Sequence, residues 1–173
     1  PCKAAGHSVL AVELDARVAE VTAQALGRRS VRRGDIMAYG ALIPHGRWQV
    51  VGTNAPFGLW WNVPPGSPYD EYELRSGESI ESQHMILELA HNLLCYQNGL
   101  LIAVLSGKFF DNNPKAAAYL NKHFQVVANV TLDCPFKPEY GIDVDAAFVV
   151  AIADSPYATK QRAPLTGPWQ GDG

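Results

Sequence analysis

The clearest chemical potential in this sequence lies in the stretch VVGTNAPF, where an apolar run ends in Asn-Ala-Pro-Phe at residues 54–57. The side-chain oxygen of Asn54 and the backbone carbonyl of Ala55 can both accept hydrogen bonds from one amino group. Pro56 restricts the loop because its φ is fixed, and Phe57 can stack on a flat ring. A simple Asn-Ala-Pro turn with a core phenylalanine is the alternative interpretation.

Two carboxylates also stand where apolar runs end. Glu13 closes the run SVLAVE, and a carboxylate there can accept two hydrogen bonds from the hydroxyls of a ribose. Asp35 can accept a hydrogen bond from an exocyclic amine, while Ile36 beside it can pack on a purine face. The alternatives are a solvated acid for Glu13 and an ordinary turn aspartate for Asp35.

Apolar spacing predicts three helices that position these residues. The first begins after Asp15, a helix N-cap residue, and stops at Gly27. The second begins at Glu81 and carries apolar residues at i, i+3, i+4, i+7 and i+8. The third begins at Pro114, which suits a first helical turn.

Short apolar runs predict the strands, at residues 8–13, 30–36, 48–54, 100–106, 125–132 and 146–153. Alternation with helices indicates an α/β fold whose mostly parallel sheet is covered on both sides. Because no helix separates the last two strands, the final strand is predicted to be antiparallel. Ligands of such sheets bind at the carboxyl ends of the strands. That edge carries four polar residues, Glu13, Asp35, Asn54 and Ser106.

Composition favours one compact domain over residues 1–154, followed by a Pro- and Gly-rich arm at 155–173. The 173 residues are 47% hydrophobic and 18% charged, which allows a sizeable core. The net charge of -3 does not indicate an overall basic surface for binding nucleic acid. Cys2, Cys95 and Cys134 lack metal-ligand spacing, so no metal is expected, and reduced thiols fit a cytoplasmic protein. No run has the length of a membrane span, and no signal peptide is visible.

These residues, in this order, resemble the class I S-adenosylmethionine-dependent methyltransferases, in particular the group that methylates adenine N6 in DNA. NAPF is similar to the Asn-Pro-Pro-Tyr/Phe motif of that group, with Ala55 replacing the first proline. The resemblance implies a three-layer Rossmann-like fold. It implies cofactor contacts by Glu13 and Leu14 and by Asp35 and Ile36.

Two further parts of the chain extend the resemblance. FKPEYGIDVDAAFVV is similar to the segment between the last two strands that holds a flipped base, which implies a substrate contact by Phe136. Pro1 and Cys2 are similar to the start of the glycine-rich cofactor loop. The sequence is too short there to hold that loop and its helix, so a missing segment is expected between Cys2 and Lys3.

The function that the resemblance implies is methyl transfer from S-adenosylmethionine to an exocyclic amine, with DNA as the partner. Asn54, Ala55, Pro56 and Phe57 would be the catalytic residues, and Asn54 would also face the cofactor. RNA and protein glutamine are alternative substrates, because each presents a planar nitrogen of the same kind. A catalytically inactive binding module is an alternative from another class. Recognition of a DNA sequence could lie in a separate domain or subunit.

Four further residues were open to two interpretations. Trp60, Trp61 and Tyr69 follow the NAPF stretch and could shape a substrate entrance, or simply pack in the core. Lys108 follows a predicted strand and could meet a phosphate, although a solvated lysine is the simpler interpretation.

Overall fold

The structure, a computed structural model, describes residues 6–95, 98–133, 145–153 and the backbone of 165–166. Within it the chain divides into two compact units, Pro1–Pro44 and His45–Gly173. The predicted roles of Pro1, Cys2 and Phe136, and the expected gap after Cys2, fall outside the described residues.

The first unit is a β-α-β arrangement. Strand β1 (Ala11–Glu13) pairs in parallel with β2 (Val31–Arg33), and α1 (Ala16–Leu26) connects them. A 3-10 turn at Arg28–Ser30 leads into β2, and the short helix α2 (Ile36–Tyr39) follows. A parallel pair requires such a crossover, since a tight turn can only reverse the chain.

The predicted ends of α1 are both confirmed. The Asp15 side chain accepts hydrogen bonds from the backbone N–H groups of Arg17 and Val18. Gly27 ends the helix with a φ of 86°, a conformation that favours glycine. These caps satisfy backbone groups that a helix end otherwise leaves open.

The second unit contains a five-stranded sheet in the order β3-β6-β8-β7-β9, among the residues that are described. Its strands are β3 (Val50–Asn54), β6 (Leu100–Ser106), β7 (Phe124–Leu132), β8 (Ala146–Ala153) and β9 (Leu165–Thr166). The unit also has a small antiparallel pair, β4 (Trp60–Asn62) with β5 (Ser79–Glu81). Its helices are α3 (Ser82–Leu93), α4 (Phe109–Asn112) and α5 (Pro114–His123).

The five-stranded sheet is mostly parallel. Strands β3, β6, β7 and β9 share one direction, because β3 pairs in parallel with β6 and both β6 and β7 are antiparallel to β8. The antiparallel β8 is not the final strand, since β9 follows it and pairs in parallel with β7. The pairing of β4 with β5 was not predicted, because three-residue strands leave little periodic signal.

Helix α3 is the central helix of this unit. The sequence predicted one apolar face, but nearly the whole helix is buried, including Gln83, His84 and Glu88. The loop between β4 and β5 covers part of its surface and buries Tyr69 and Leu74. The face of α3 that the sequence pattern predicted to be polar and exposed is therefore packed against other parts of the protein.

Glu88 ties that loop to the helix. Its carboxylate accepts hydrogen bonds from the backbone N–H of Glu73 at 2.8 Å and from that of Leu74. Burial raises the pKa of Glu88, and the two N–H donors oppose that rise. The turn-rich loop is thus anchored by a buried acid on α3.

In the portion of the chain that the structure describes, no helix combines the length and the apolar character needed to cross a membrane.

Candidate functional site

The NAPF stretch begins at the last residue of β3. Asn54 lies opposite Val104 of β6 in the parallel register and is exposed. Ala55 is only 2% exposed, whereas Pro56 is exposed and Phe57 is half-buried. A buried alanine between exposed neighbours fixes the direction in which the chain leaves the sheet.

Residues at the start of α3 form hydrogen bonds with backbone groups of the loop from Pro56 to Leu59. The Ser82 hydroxyl donates to the carbonyl of Pro56, and the Ser82 N–H donates to the carbonyl of Leu59 at 2.8 Å. The N–H of Gly58 donates to Glu81 Oε1 at 3.2 Å. Three consecutive polar contacts therefore span the loop from Pro56 to Leu59.

Gln83 extends this network to the neighbouring strand. Its Nε2 donates to Glu81 Oε1 at 3.0 Å, and its Oε1 accepts from the backbone N–H of Ser106 at 2.7 Å. Ser106 is the last residue of β6, which pairs with β3. The ends of the two strands are thus joined through the first turn of α3.

Glu81, Ser82 and Gln83 were missed as site residues by the sequence analysis. Their side chains are between 0% and 7% exposed, which is unusual for three adjacent polar residues. Three polar residues before an apolar helical pattern usually indicate helix capping. Glu81 does cap α3, accepting from the N–H of Gln83 at 3.2 Å.

His84 lies next to this network and is also buried. Burial lowers its pKa, while the charge of Glu81 acts in the opposite direction. Its ring lies 5.5 Å from that of Phe109, measured between centroids. Among the described residues its Nε2 has no hydrogen-bond partner.

The aromatic residues after the NAPF stretch have different environments. Trp60 lies on β4 opposite Glu81 and is 58% exposed, whereas Trp61 is half-buried. Tyr69 is buried and packs edge-on against Tyr72, with the ring centroids 5.2 Å apart. Tyr69 is therefore a packing residue, and of the three only Trp60 offers a large exposed ring. Lys108 is exposed before α4.

Glu13 and Asp35 stand at the ends of adjacent parallel strands in the first unit. Glu13 is the last residue of β1, and its carbonyl accepts from the N–H of Gly34 at 2.9 Å. Its Oε1 also accepts from the N–H of Asp15 at 2.9 Å. One oxygen of Asp35 caps α2 by accepting from the N–H of Met37 at 2.9 Å.

The chain reaches Asp35 through a glycine whose conformation and surroundings leave no room for a side chain. Gly34 has a φ of 155°, and a Cβ at this position would lie 2.2 Å from a ring carbon of Tyr39. The Tyr39 ring therefore occupies the space that a side chain would need. Among the neighbouring candidate residues, Leu14 is 68% exposed and Ile36 is half-buried.

No group of three or more His, Cys, Asp or Glu side chains that could hold a metal occurs in the described segments. The carboxylates of Glu13 and Asp35, at two adjacent strand ends, can accept hydrogen bonds from hydroxyl and amine groups. The structure places Glu13, Leu14, Asp35 and Ile36 in the first unit and residues 54–57 in the second.

Comparison with solved structures identifies the fold. A Listeria monocytogenes protein assigned to the class I S-adenosylmethionine-dependent methyltransferases superposes with a TM-score of 0.66 at 14% identity, covering 91% of this chain and 48% of the other. The M protein of the type I restriction enzyme EcoKI matches with a TM-score of 0.63 at 14% identity, covering 84% and 31%. A chain of a type I R-M system gives 0.61 at 17% identity, covering 84% and 30%.

These matches show that the chain has the fold of the class I methyltransferases. The chain spans less than half of the length of each of these proteins. No protein-family model matches the sequence, and no curated protein matches it either. The fold was therefore identified through structure, at identities too low for a sequence match.

Proposed function

We propose that this protein transfers a methyl group from S-adenosylmethionine to an exocyclic amino nitrogen, adenine N6 in DNA. The observation that carries the proposal is the NAPF stretch at the end of β3, with Ala55 buried and the following loop held by α3. The methyltransferase fold supports the class of reaction. The folds of the EcoKI M protein and the type I R-M chain support the choice of DNA.

Residues 54–57 would act by positioning the amine. Its lone pair is delocalised into the ring, so it is a weak nucleophile. Acceptance of two N–H bonds by Asn54 Oδ1 and the Ala55 carbonyl would favour a tetrahedral nitrogen with its lone pair directed at the methyl group. The proton can leave after the attack, so no strong base is required.

The cofactor would be held by residues of the first unit. In the proposed site the Glu13 carboxylate accepts from the ribose hydroxyls, and Leu14 contacts the same part of the molecule. Asp35 accepts from the adenine amine while Ile36 packs on the adenine face. Pro1 and Cys2 would begin the loop around the methionine end. The cofactor would supply an electrophilic methyl group, and Asn54 would be a further residue in contact with it.

The substrate base would have to leave the duplex to reach this loop. Phe57 would stack on the flipped base, with Phe136 as a second contact. This chain covers 30% and 31% of the two matched R-M proteins. We propose that sequence recognition resides in a further domain or subunit. DNA binding would then be shared between this fold and that partner.

Three features of the predicted organisation are also proposals. Residues 1–154 would form one methyltransferase domain with the three-layer Rossmann-like arrangement, and 155–173 a C-terminal arm. A cytoplasmic location is proposed from the spacing and small number of the cysteines.

A second candidate function is an inactive methyltransferase fold that serves as a binding module. It is favoured by Ala55, because an alanine leaves φ less restricted than the proline of the related motif. RNA and protein glutamine remain alternative substrates for an active enzyme. Titration calorimetry with S-adenosylmethionine separates the classes, since the inactive module predicts no binding.

The decisive experiment is tritiated methyl transfer to unmethylated DNA, to RNA and to protein. The Asn54→Ala variant is expected to lose at least about a hundredfold in kcat, because one of two acceptors for the amine is removed. Its affinity for nucleic acid should change little. Full activity of Asn54→Ala would remove this residue from the site.

The control for that experiment is Asn62→Ala. Asn62 is an exposed asparagine at the end of β4, outside residues 54–57. Its replacement should leave kcat within about twofold of the wild type. An equal loss in both variants would mean that the effect of Asn54→Ala is a general one on folding.

A further inference from the structure

The loop that follows Ala55 is held from outside by polar groups that have no role in the proposed chemistry. Ser82 contacts the carbonyls of Pro56 and Leu59, and Glu81 accepts from the N–H of Gly58. All three contacts come from residues at the start of α3. They fall within four consecutive residues of the loop.

The Ser82 hydroxyl has a definite role in this set. A hydroxyl carries one proton, and the Ser82 hydroxyl has the Pro56 carbonyl and, at 3.2 Å, Glu81 Oε1 within reach. In the bond to Pro56 the hydroxyl donates and the carbonyl accepts. Because that carbonyl belongs to the peptide linking Pro56 to Phe57, the bond fixes the orientation of this peptide plane.

Burial makes the arrangement rigid. Ser82 is fully buried, Glu81 is 7% exposed and Gln83 is 3% exposed. Water has little access to compete for these bonds, and an unsatisfied partner would be costly. Gln83 also joins Glu81 to the N–H of Ser106, so the network is anchored on the end of a central strand.

Such an anchor is needed because of Ala55. A proline at this position would restrict φ, whereas alanine does not. The carbonyl of Ala55 lies one residue before Pro56, so the orientation of the loop decides where that acceptor points. Misplacement of a positioning group by about 1 Å can reduce a rate a hundredfold.

We propose that Glu81, Ser82 and Gln83 are positioning residues that orient the Asn54–Phe57 acceptors for methyl transfer. Glu81 and Ser82 act through hydrogen bonds to the loop from Pro56 to Leu59, and Gln83 acts by holding Glu81 and the end of β6. This inference rests on the proposed function and deepens it. It assigns no contact with substrate to the three residues. Their role is to hold the loop in one conformation.

The test is Ser82→Ala in the full-length protein, with Ser79→Ala as the matched control. Ser79 also donates its hydroxyl to a backbone carbonyl, but the acceptor is Ser76, at 3.2 Å, which lies outside the loop from Pro56 to Leu59. Ser82→Ala should lower kcat for methyl transfer to DNA about ten- to a hundredfold. The Kd for S-adenosylmethionine and the KM for DNA should stay within about twofold.

Amide hydrogen exchange of the peptide covering residues 54–60 gives a readout that does not need activity. Ser82→Ala should exchange about tenfold faster there than the wild type, and Ser79→Ala should not. Should Ser82→Ala fail to fold, Gln83→Met is measured instead. It keeps the volume of the side chain, breaks the link to Ser106, and should change kcat and exchange in the same directions.

The inference is overturned if the variant keeps both kcat and exchange within twofold of the wild type, or if Ser79→Ala gives the same losses. A wild-type protein without methyl transfer on DNA, RNA or protein would reject the proposed function. In that case the exchange measurement still decides whether Ser82 holds the loop, and unchanged exchange rejects the positioning role.

Discussion

Ala55 is the residue on which the proposed chemistry depends most. Its side chain is almost fully buried, so it fixes the path of the chain, while its backbone carbonyl is the proposed second acceptor for the amine. Asn54 and Pro56 on either side are exposed. In the proposed site this alanine would combine a packing role with a backbone role, and the hydrogen bonds of Glu81 and Ser82 hold the residues that follow it.

Glu13 provides a test of the cofactor site at the residue scale. Glu13→Gln should weaken binding of S-adenosylmethionine about ten- to a hundredfold, because hydroxyl groups bond more weakly to an amide than to a carboxylate. Calorimetric titration measures the change. Glu20→Gln, which alters an exposed glutamate paired with Arg28, should bind normally. Equal affinity in Glu13→Gln and the wild type would contradict the assignment.

Trp60 provides a test of the substrate side. Its ring is largely exposed beside the NAPF loop, so Trp60→Ala should weaken binding of single-stranded DNA by about 1 to 3 kcal/mol. Trp60→Phe keeps a flat ring and should retain most of the affinity. Fluorescence anisotropy with a labelled oligonucleotide measures both. Leu132→Ala changes an exposed apolar residue on β7 and is expected to have no effect.

At the scale of elements, α3 organises the second unit. Its first turn binds the loop after β3 and the end of β6, and its middle binds the loop between β4 and β5. Both functions are performed by buried polar side chains. The helix therefore links the candidate site to the sixteen-residue loop at 63–78.

Glu88 tests the second of these links. Glu88→Ala leaves the N–H groups of Glu73 and Leu74 without their acceptor, and Leu74 is buried. The free energy of unfolding should fall by about 2 to 4 kcal/mol. Urea unfolding followed by circular dichroism measures it. Glu71→Ala, at an exposed position of the same loop, should change stability by less than about 0.5 kcal/mol, and equal losses would exclude a special role for Glu88.

At the scale of the whole molecule, a cluster of aromatic and titratable groups makes stability depend on pH. Burial lowers the pKa of His91 to about 4, and the charge of His123 contributes in the same direction. The ring centroids of His91 and His123 lie 4.4 Å apart. The Tyr119 hydroxyl is hydrogen-bonded to His91 Nδ1 at 3.2 Å. Burial also lowers the pKa of His123.

The sign of the effect follows from proton linkage. Because the pKa of His91 is lower in the folded chain than in the unfolded one, unfolding takes up protons between about pH 4 and pH 6.5. Stability from this group is complete above about pH 6.5 and declines as the pH falls toward 4. The loss should be on the order of 1 to 2 kcal/mol, once partial exposure of the ring is allowed for.

Urea unfolding at several pH values measures this decline. His91→Phe should flatten it, since a phenyl ring can pack in the cluster without titrating, although it loses the bond with Tyr119. His45→Gln, at an exposed position, should leave the pH profile unchanged. The raised pKa of Glu88 makes stability fall as the pH rises, which is the opposite dependence. This contribution is present in the wild type and in both variants. An unaltered profile in His91→Phe would mean that another group causes the decline.

Many elements of the fold could be predicted from local sequence signals. The predicted strands at 100–106 and 146–153 coincide with β6 and β8, and Pro114 is the first residue of α5. The side chain of Asn113, which directly precedes that helix, does not cap it. The Asn113 Nδ2 donates to the carbonyl of Phe109. Long apolar runs and helix-starting prolines are local features, which is why they could be recognised without a structure.

The sequence by itself determined the ordered series of strand ends and the polar residues that follow them, because strand periodicity and loop punctuation are properties of neighbouring residues. The tertiary structure alone decided that Glu81, Ser82 and Gln83 are buried, with Glu81 and Ser82 bonded to the loop from Pro56 to Leu59 and Gln83 bonded to Ser106. Their contacts join residues more than twenty positions apart, and no local pattern records such a distance. Burial of a polar side chain depends on what the rest of the chain places over it.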